Sequence, residues 1–195
     1  MTSRATVAFV ALAAADALLA ATGHDRRRWL TKPLLMPVLM IGRDRPAQRA
    51  LALGGAGDMA LLGSSEIAFT AGLACFLAGH LAWIIALRQR PGGGRLCARP
   101  VLAGPYLAAF GALNAYLWKR TGKDRLPVLA YSAALLAMSL TALDSGSPRA
   151  AAGGALFLAS DTLLALEKFA DLRLPAHEAL VMATYTGAQA LLAGG

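Results

Sequence analysis

From Ile67 to Leu87 the chain carries no Asp, Glu, Lys or Arg, and an uninterrupted apolar stretch of about 20 residues is what a helix needs to cross a bilayer. The pattern recurs along the sequence. Charged or Pro/Gly-rich punctuation leaves eight apolar runs, at about 4–22, 30–42, 46–63, 65–87, 99–118, 126–143, 149–168 and 175–193. Within lipid the backbone must satisfy its own hydrogen bonds, which runs of this length achieve as helices. The expected fold class is therefore all-α. Residues 1–195 should form one transmembrane helical domain, a polytopic bundle of about eight membrane-spanning helices with no soluble domain appended. Only 15% of residues are charged, against about a quarter in soluble domains, and the mean hydropathy is +0.53. The second run is short and carries Pro33 and Pro37. These prolines should kink it, so that it spans only with help from its neighbours.

The punctuation narrows the function. A net charge of +8 is compatible with nucleic acid, but the basic residues fall in short clusters between apolar runs, where they meet lipid headgroups. No nucleic-acid partner is expected. Arg4 followed by the apolar run to Ala21 has the outline of a cleaved signal peptide, yet the run is long for one and contains Asp16, so it is read as the first helix. The expected location is the cell membrane, as a multi-pass protein; the Ala-, Gly- and Arg-rich composition points to a bacterial plasma membrane. Counting positive charges does not orient the chain: nine lie on the side of the termini and ten on the other. Cys75 and Cys97 form neither a metal-ligand spacing nor a disulfide framework. Gly92, Gly93 and Gly94 read as a flexible turn. Without a preceding strand or a following GK[ST], they are no phosphate-binding loop.

Two runs break the apolar rule at matching places. Asp58 lies twelve residues into the third run and Asp161 twelve into the seventh, about 18 Å from the side of the termini at about 1.5 Å per residue. Odd-numbered runs point the same way, so the two carboxylates share a depth. Asp16, Lys32, Asn114, Tyr131 and Glu178 fall in the same layer, with His80 and Gln189 nearer the termini and Tyr185 between. "GGAGDMALLG" and "GGALFLASDTLLAL" echo one another around these aspartates, as a duplicated four-helix unit would.

Each carboxylate costs about 2.5–3.5 kcal/mol on insertion scales. Asp16, near a helix end, reads as structural, and His80 as a hydrogen-bonded core residue with no potential ligand at helical spacing for a metal. Tyr131 and Tyr185 are as well suited to packing as to chemistry. Two carboxylates at one depth favour a functional reading. Within one cavity, burial and repulsion would leave one protonated and one ionised. That division suits acid/base hydrolysis of an ether or acetal without metal or cofactor, and equally a proton relay in a small transporter.

The segments "TKPLLMPVLM", "GDMALLG", "FTAGLACFLAGHLAW", "LPVLAYSAALLAM", "GALFLASDTLLALEKF" and "YTGAQALL", in that order, resemble the YhhN-like lysoplasmalogenase family of integral membrane proteins. The resemblance implies eight helices and cleavage of the vinyl ether bond of lysoplasmalogens to a fatty aldehyde and glycerophosphoethanolamine or glycerophosphocholine. It implies Asp58 and Asp161 as the catalytic pair, with a lysophospholipid substrate and membrane lipid as partners. Lys32 then becomes a candidate to hold the headgroup phosphate or to pair a carboxylate. His80, Tyr131 and Tyr185 become candidates to position substrate or tune the acid. Asn114, Ser160, Gln189 and Glu178 complete the supporting set.

Overall fold

In a computed structural model, which describes residues 3–194, the chain is helical, and no strand occurs among the described residues. The helices are α1 (Ser3–Ala21), α2 (Asp25–Met40), α3 (Arg45–Leu61), α4 (Glu66–Arg88), the single turn α5 (Arg95–Ala98), α6 (Gly104–Leu117), α7 (Arg125–Asp144), α8 (Pro148–Ala170) and α9 (His177–Gly194). Several starts are written in the sequence. Asp44, Ser65 and Ser147 each precede a helix and accept a hydrogen bond from the backbone N–H three residues on, at Ala47, Ala68 and Ala150. Pro46 and Pro148 occupy first-turn positions, where a missing N–H costs nothing.

Four segments are long and apolar enough to cross a membrane: Arg4–Ala21, Glu66–Arg88, Gly122–Asp144 and Pro148–Ala170. The others are shorter or more polar. Two boundaries depart from expectation. The second run starts earlier, at Asp25, and continues as α-helix through both prolines to Met40. The fifth run is divided, because Pro100 opens a turn of 3₁₀ helix and Pro105 restarts the α-helix in the first turn of α6. The glycine-rich loop before it is tied down rather than loose: Asp144 accepts hydrogen bonds from the backbone N–H of Gly94 (3.2 Å) and Leu96 (2.7 Å).

Short connections make most chain neighbours antiparallel. Contacts run from α1 to α2, α3, α4, α7, α8 and α9 in turn and from α9 back to α1, closing a ring of seven helices, with α6 outside it against α7 and α8. Leu35, Leu39, Leu51, Trp83, Met138, Phe157 and Leu192 fill the interior, each almost fully buried. In lipid, apolar burial does not distinguish helix from tail, so close packing carries the association. Gly153 shows how close: a Cβ there would meet the Leu192 backbone nitrogen at 2.9 Å and the Ala188 oxygen at 3.0 Å. One face of the ring is fastened by Arg43 and Arg90, which donate to the last carbonyls of α9, at Ala193 (2.7 Å) and Leu192 (2.9 Å).

Candidate active site

Asp58 and Asp161 are each the fourteenth residue of their helices, α3 and α8, so the matching register read from the sequence is retained, about 20 Å from each helix start. Their surroundings differ. Asp58 is 3% exposed and both of its oxygens are engaged: Oδ2 accepts from the Tyr185 hydroxyl at 2.7 Å, and Oδ1 lies 3.6 Å from Lys32 Nζ. Gln189 Nε2 donates to the Tyr185 hydroxyl at 3.3 Å, and Trp83 Nε1 donates to Gln189 Oε1 at 3.0 Å. Four helices thus converge on one carboxylate. Gly54, one turn before Asp58, makes room for them, since a Cβ there would meet Gln189 Nε2 at 2.8 Å.

Asp161 has a lighter shell. Its Oδ2 accepts from the Tyr131 hydroxyl at 2.5 Å and lies 3.7 Å from His80 Nε2. Oδ1 has no hydrogen-bond partner among the described residues, and the side chain is 10% exposed. His80 Nε2 is also 3.1 Å from the Tyr131 hydroxyl. Because that hydroxyl spends its single proton on Asp161, His80 Nε2 is the donor to it, and the buried Nδ1 is left without a partner among the described residues.

The two clusters share an aromatic wall. Phe157 meets the His80 ring edge-on at 4.8 Å and the Tyr185 ring at 5.6 Å, while Phe76 closes on Tyr185 at 5.8 Å. Tyr185, bonded to Asp58, also lies within the field of Asp161.

Residue counting puts His80, Tyr185 and Gln189 nearer the termini than the aspartates, yet His80 and Tyr185 reach the carboxylates and Gln189 joins through the Tyr185 hydroxyl. Helical side chains lean toward the helix N-terminus. Those of α4 and α9 therefore lean away from the termini and those of α3 and α8 lean back, which brings the two sets toward one another. Other candidates fall elsewhere. Asn114, on peripheral α6, donates to Phe110 O of its own helix and accepts from Ser132 Oγ. Ser160 is buried and donates to Val181 O, joining α8 to α9. Glu178 faces Arg28 at 3.7 Å, and Arg28 in turn reaches the fully buried Asp16, which also accepts from Thr31. Of the two roles open to Lys32, the structure places it against the carboxylate. Trp83 joins the site without having been singled out, although it lies three residues beyond His80 on one helical face, and Phe157, which belongs to a segment that carries the resemblance, joins it with no role assigned beforehand. Among the described residues no three of His, Cys, Asp and Glu gather where one metal ion would sit.

A model of the YhhN family matches residues 27–195, and the chain belongs to that family. The match takes in both carboxylate clusters and leaves out α1. No curated protein and no solved structure matches the chain.

Proposed function

We propose that this member of the YhhN family is a membrane-embedded hydrolase of vinyl ether lysophospholipids, with Asp161 as general acid and Asp58 as its ionised partner. In this reading α1–α4 and α6–α9 all cross the cell membrane as one domain, the shorter ones held in place by the ring. The observation that carries it is the unequal treatment of the two carboxylates. Asp58, with a lysine at one oxygen and a hydroxyl at the other, has the partners that a carboxylate anion needs. Asp161 faces no permanent cation and keeps Oδ1 open, so it can present a proton there while Tyr131 and His80 wait at Oδ2 for the charge that its loss creates.

The chemistry balances on these two groups. Asp161 gives its proton to the vinyl β-carbon, and the C=C electron pair forms the new C–H bond, leaving an oxocarbenium ion. Water attacks the cationic carbon as Asp58 takes a proton from it. The hemiacetal then collapses: the carbon–glycerol oxygen bond breaks, Asp58 returns its proton to the glycerol oxygen, and the hemiacetal hydroxyl proton restores Asp161. The products are a fatty aldehyde and the glycerophospho-headgroup. The apolar His80–Phe157–Tyr185 wall keeps bulk water from the cation and strengthens the field of Asp58.

The test is aldehyde release from a lysoplasmalogen by the purified chain. Asp161→Asn should lower turnover by about 100-fold or more, the scale of a lost general acid, with unchanged elution as a folded particle. Asp58→Asn strands Lys32, so Lys32→Met/Asp58→Asn is the companion variant, and it should be equally inactive. Aldehyde release at the unaltered rate by either variant would remove the carboxylate substituted in it from catalysis and overturn the paired mechanism.

A further inference from the structure

A cavity of about 740 Å³ lies away from both carboxylates, on the flank of the ring between α1 and α9, and its size falls within the range of about 300–1,000 Å³ usual for small-molecule sites. Its walls follow helical spacing. Every third and fourth residue from Thr6 to Ala17 lines one side, and the same pattern from Ala183 to Gly194 lines the other. Over those eleven steps the trough extends for about 16 Å. Ala13, Ala17, Gly187 and Ala190 keep its floor low.

A stripe of small residues is ordinary helix-packing surface. The end of this one is not. Arg43 and Arg149 stand at its mouth, on the side of the chain termini, and none of the lining residues is acidic. Arg43 already caps α9 through Ala193 O. Burial and the neighbouring Arg90 press its guanidinium below the usual value, with Asp44 offsetting part of the effect. Positive charge is thus concentrated where an apolar trough of acyl-chain proportions ends.

We propose that the α1/α9 groove binds one chain of an anionic phospholipid, whose phosphate rests between Arg43 and Arg149. The site is separate from the carboxylates and independent of the hydrolase reading, and its α1 wall lies outside the part of the chain that the family model matches. The phospholipid is a resident ligand there, fastening α1 to α9 at the point where the helix ring closes.

Native mass spectrometry of the purified full chain, titrated with phosphatidylglycerol or with phosphatidylcholine of the same chains, tests this without any activity readout. One phosphatidylglycerol should be retained about fivefold better than phosphatidylcholine, the scale of one arginine at a membrane surface. Arg149 is exposed, so Arg149→Ala should keep the unfolding temperature in detergent and bring phosphatidylglycerol down to the phosphatidylcholine level. Ala14 is also exposed and lines the groove, and Ala14→Trp should fill it and abolish retention of both lipids. Equal retention of the two lipids by the wild-type chain, or wild-type retention in either variant, would overturn the proposal.

Discussion

Lys32 and Asp58 illustrate how a membrane protein carries charge at depth. Their side chains are 9% and 4% exposed and 3.6 Å apart, and removing one partner of a buried pair leaves the other uncompensated, at a cost of about 3–5 kcal/mol. Lys32→Met should therefore lower the resistance of the protein to unfolding by that order, and adding Asp58→Asn should recover most of the loss; denaturant titrations of the two variants give the comparison. Equal stability of the single and double variants would mean that the pair is not coupled. The aspartates themselves were legible in the sequence, because a carboxylate in an apolar run stands out and because identical register in two parallel runs is unusual. Their partners were less so. A tyrosine, tryptophan or phenylalanine is ordinary in a membrane helix, and only the ring closure that brings α4 and α9 beside α3 and α8 tells Trp83 and Phe157 from packing residues.

At the scale of the helix, small residues decide which pairs touch. Because the Cβ of a residue at 153 would strike the backbone of α9, which cannot turn aside as a side chain can, Gly153→Val should separate α8 from α9 and cost about 1–3 kcal/mol. Gly111 on peripheral α6 has nothing within 4 Å. Gly111→Ala should be neutral or stabilising by up to about 1 kcal/mol, since alanine is the better helix former. Thermal unfolding in one detergent separates the two; similar losses would put α6 inside the packed ring. Helix ends with Ser, Asp or Pro signals were read to within a few residues. The start of α2 was not, because the charged segment from Asp25 to Arg28 looks like a loop by hydropathy and is helical in the structure. Pro33 and Pro37 do not end α2, since a helix packed between α1 and α3 tolerates what an isolated one does not.

At the scale of the whole molecule, the two halves are organised alike. Asp58 is served by Lys32 from the preceding helix and by Tyr185 from the last helix, while Asp161 is served by Tyr131 from the preceding helix and by His80 from α4. Each carboxylate thus draws one partner from its own half and one from the other. The likeness stops at the first helix of each half: α1 is a member of the ring, and α6 lies outside it. The proposed eight-span reading predicts that Cys97, exposed in the single turn α5 after α4, reacts with an impermeant maleimide from the side that exposes an N-terminal tag. A cysteine placed at Lys123 should react only from the opposite side. Labelling of both positions from one side would require an even number of crossings between them and would contradict that reading.

The central claim, that the Asp161 carboxyl group protonates a vinyl carbon, leaves a mark in the product. Turnover in D₂O, with the aldehyde analysed by mass spectrometry, should place one deuterium on the carbon next to the carbonyl, and Asp161→Asn should form that aldehyde at least about 100-fold more slowly. Aldehyde formed at an undiminished rate by Asp161→Asn, or a wild-type protein that forms no aldehyde while moving protons across sealed vesicles, would contradict it.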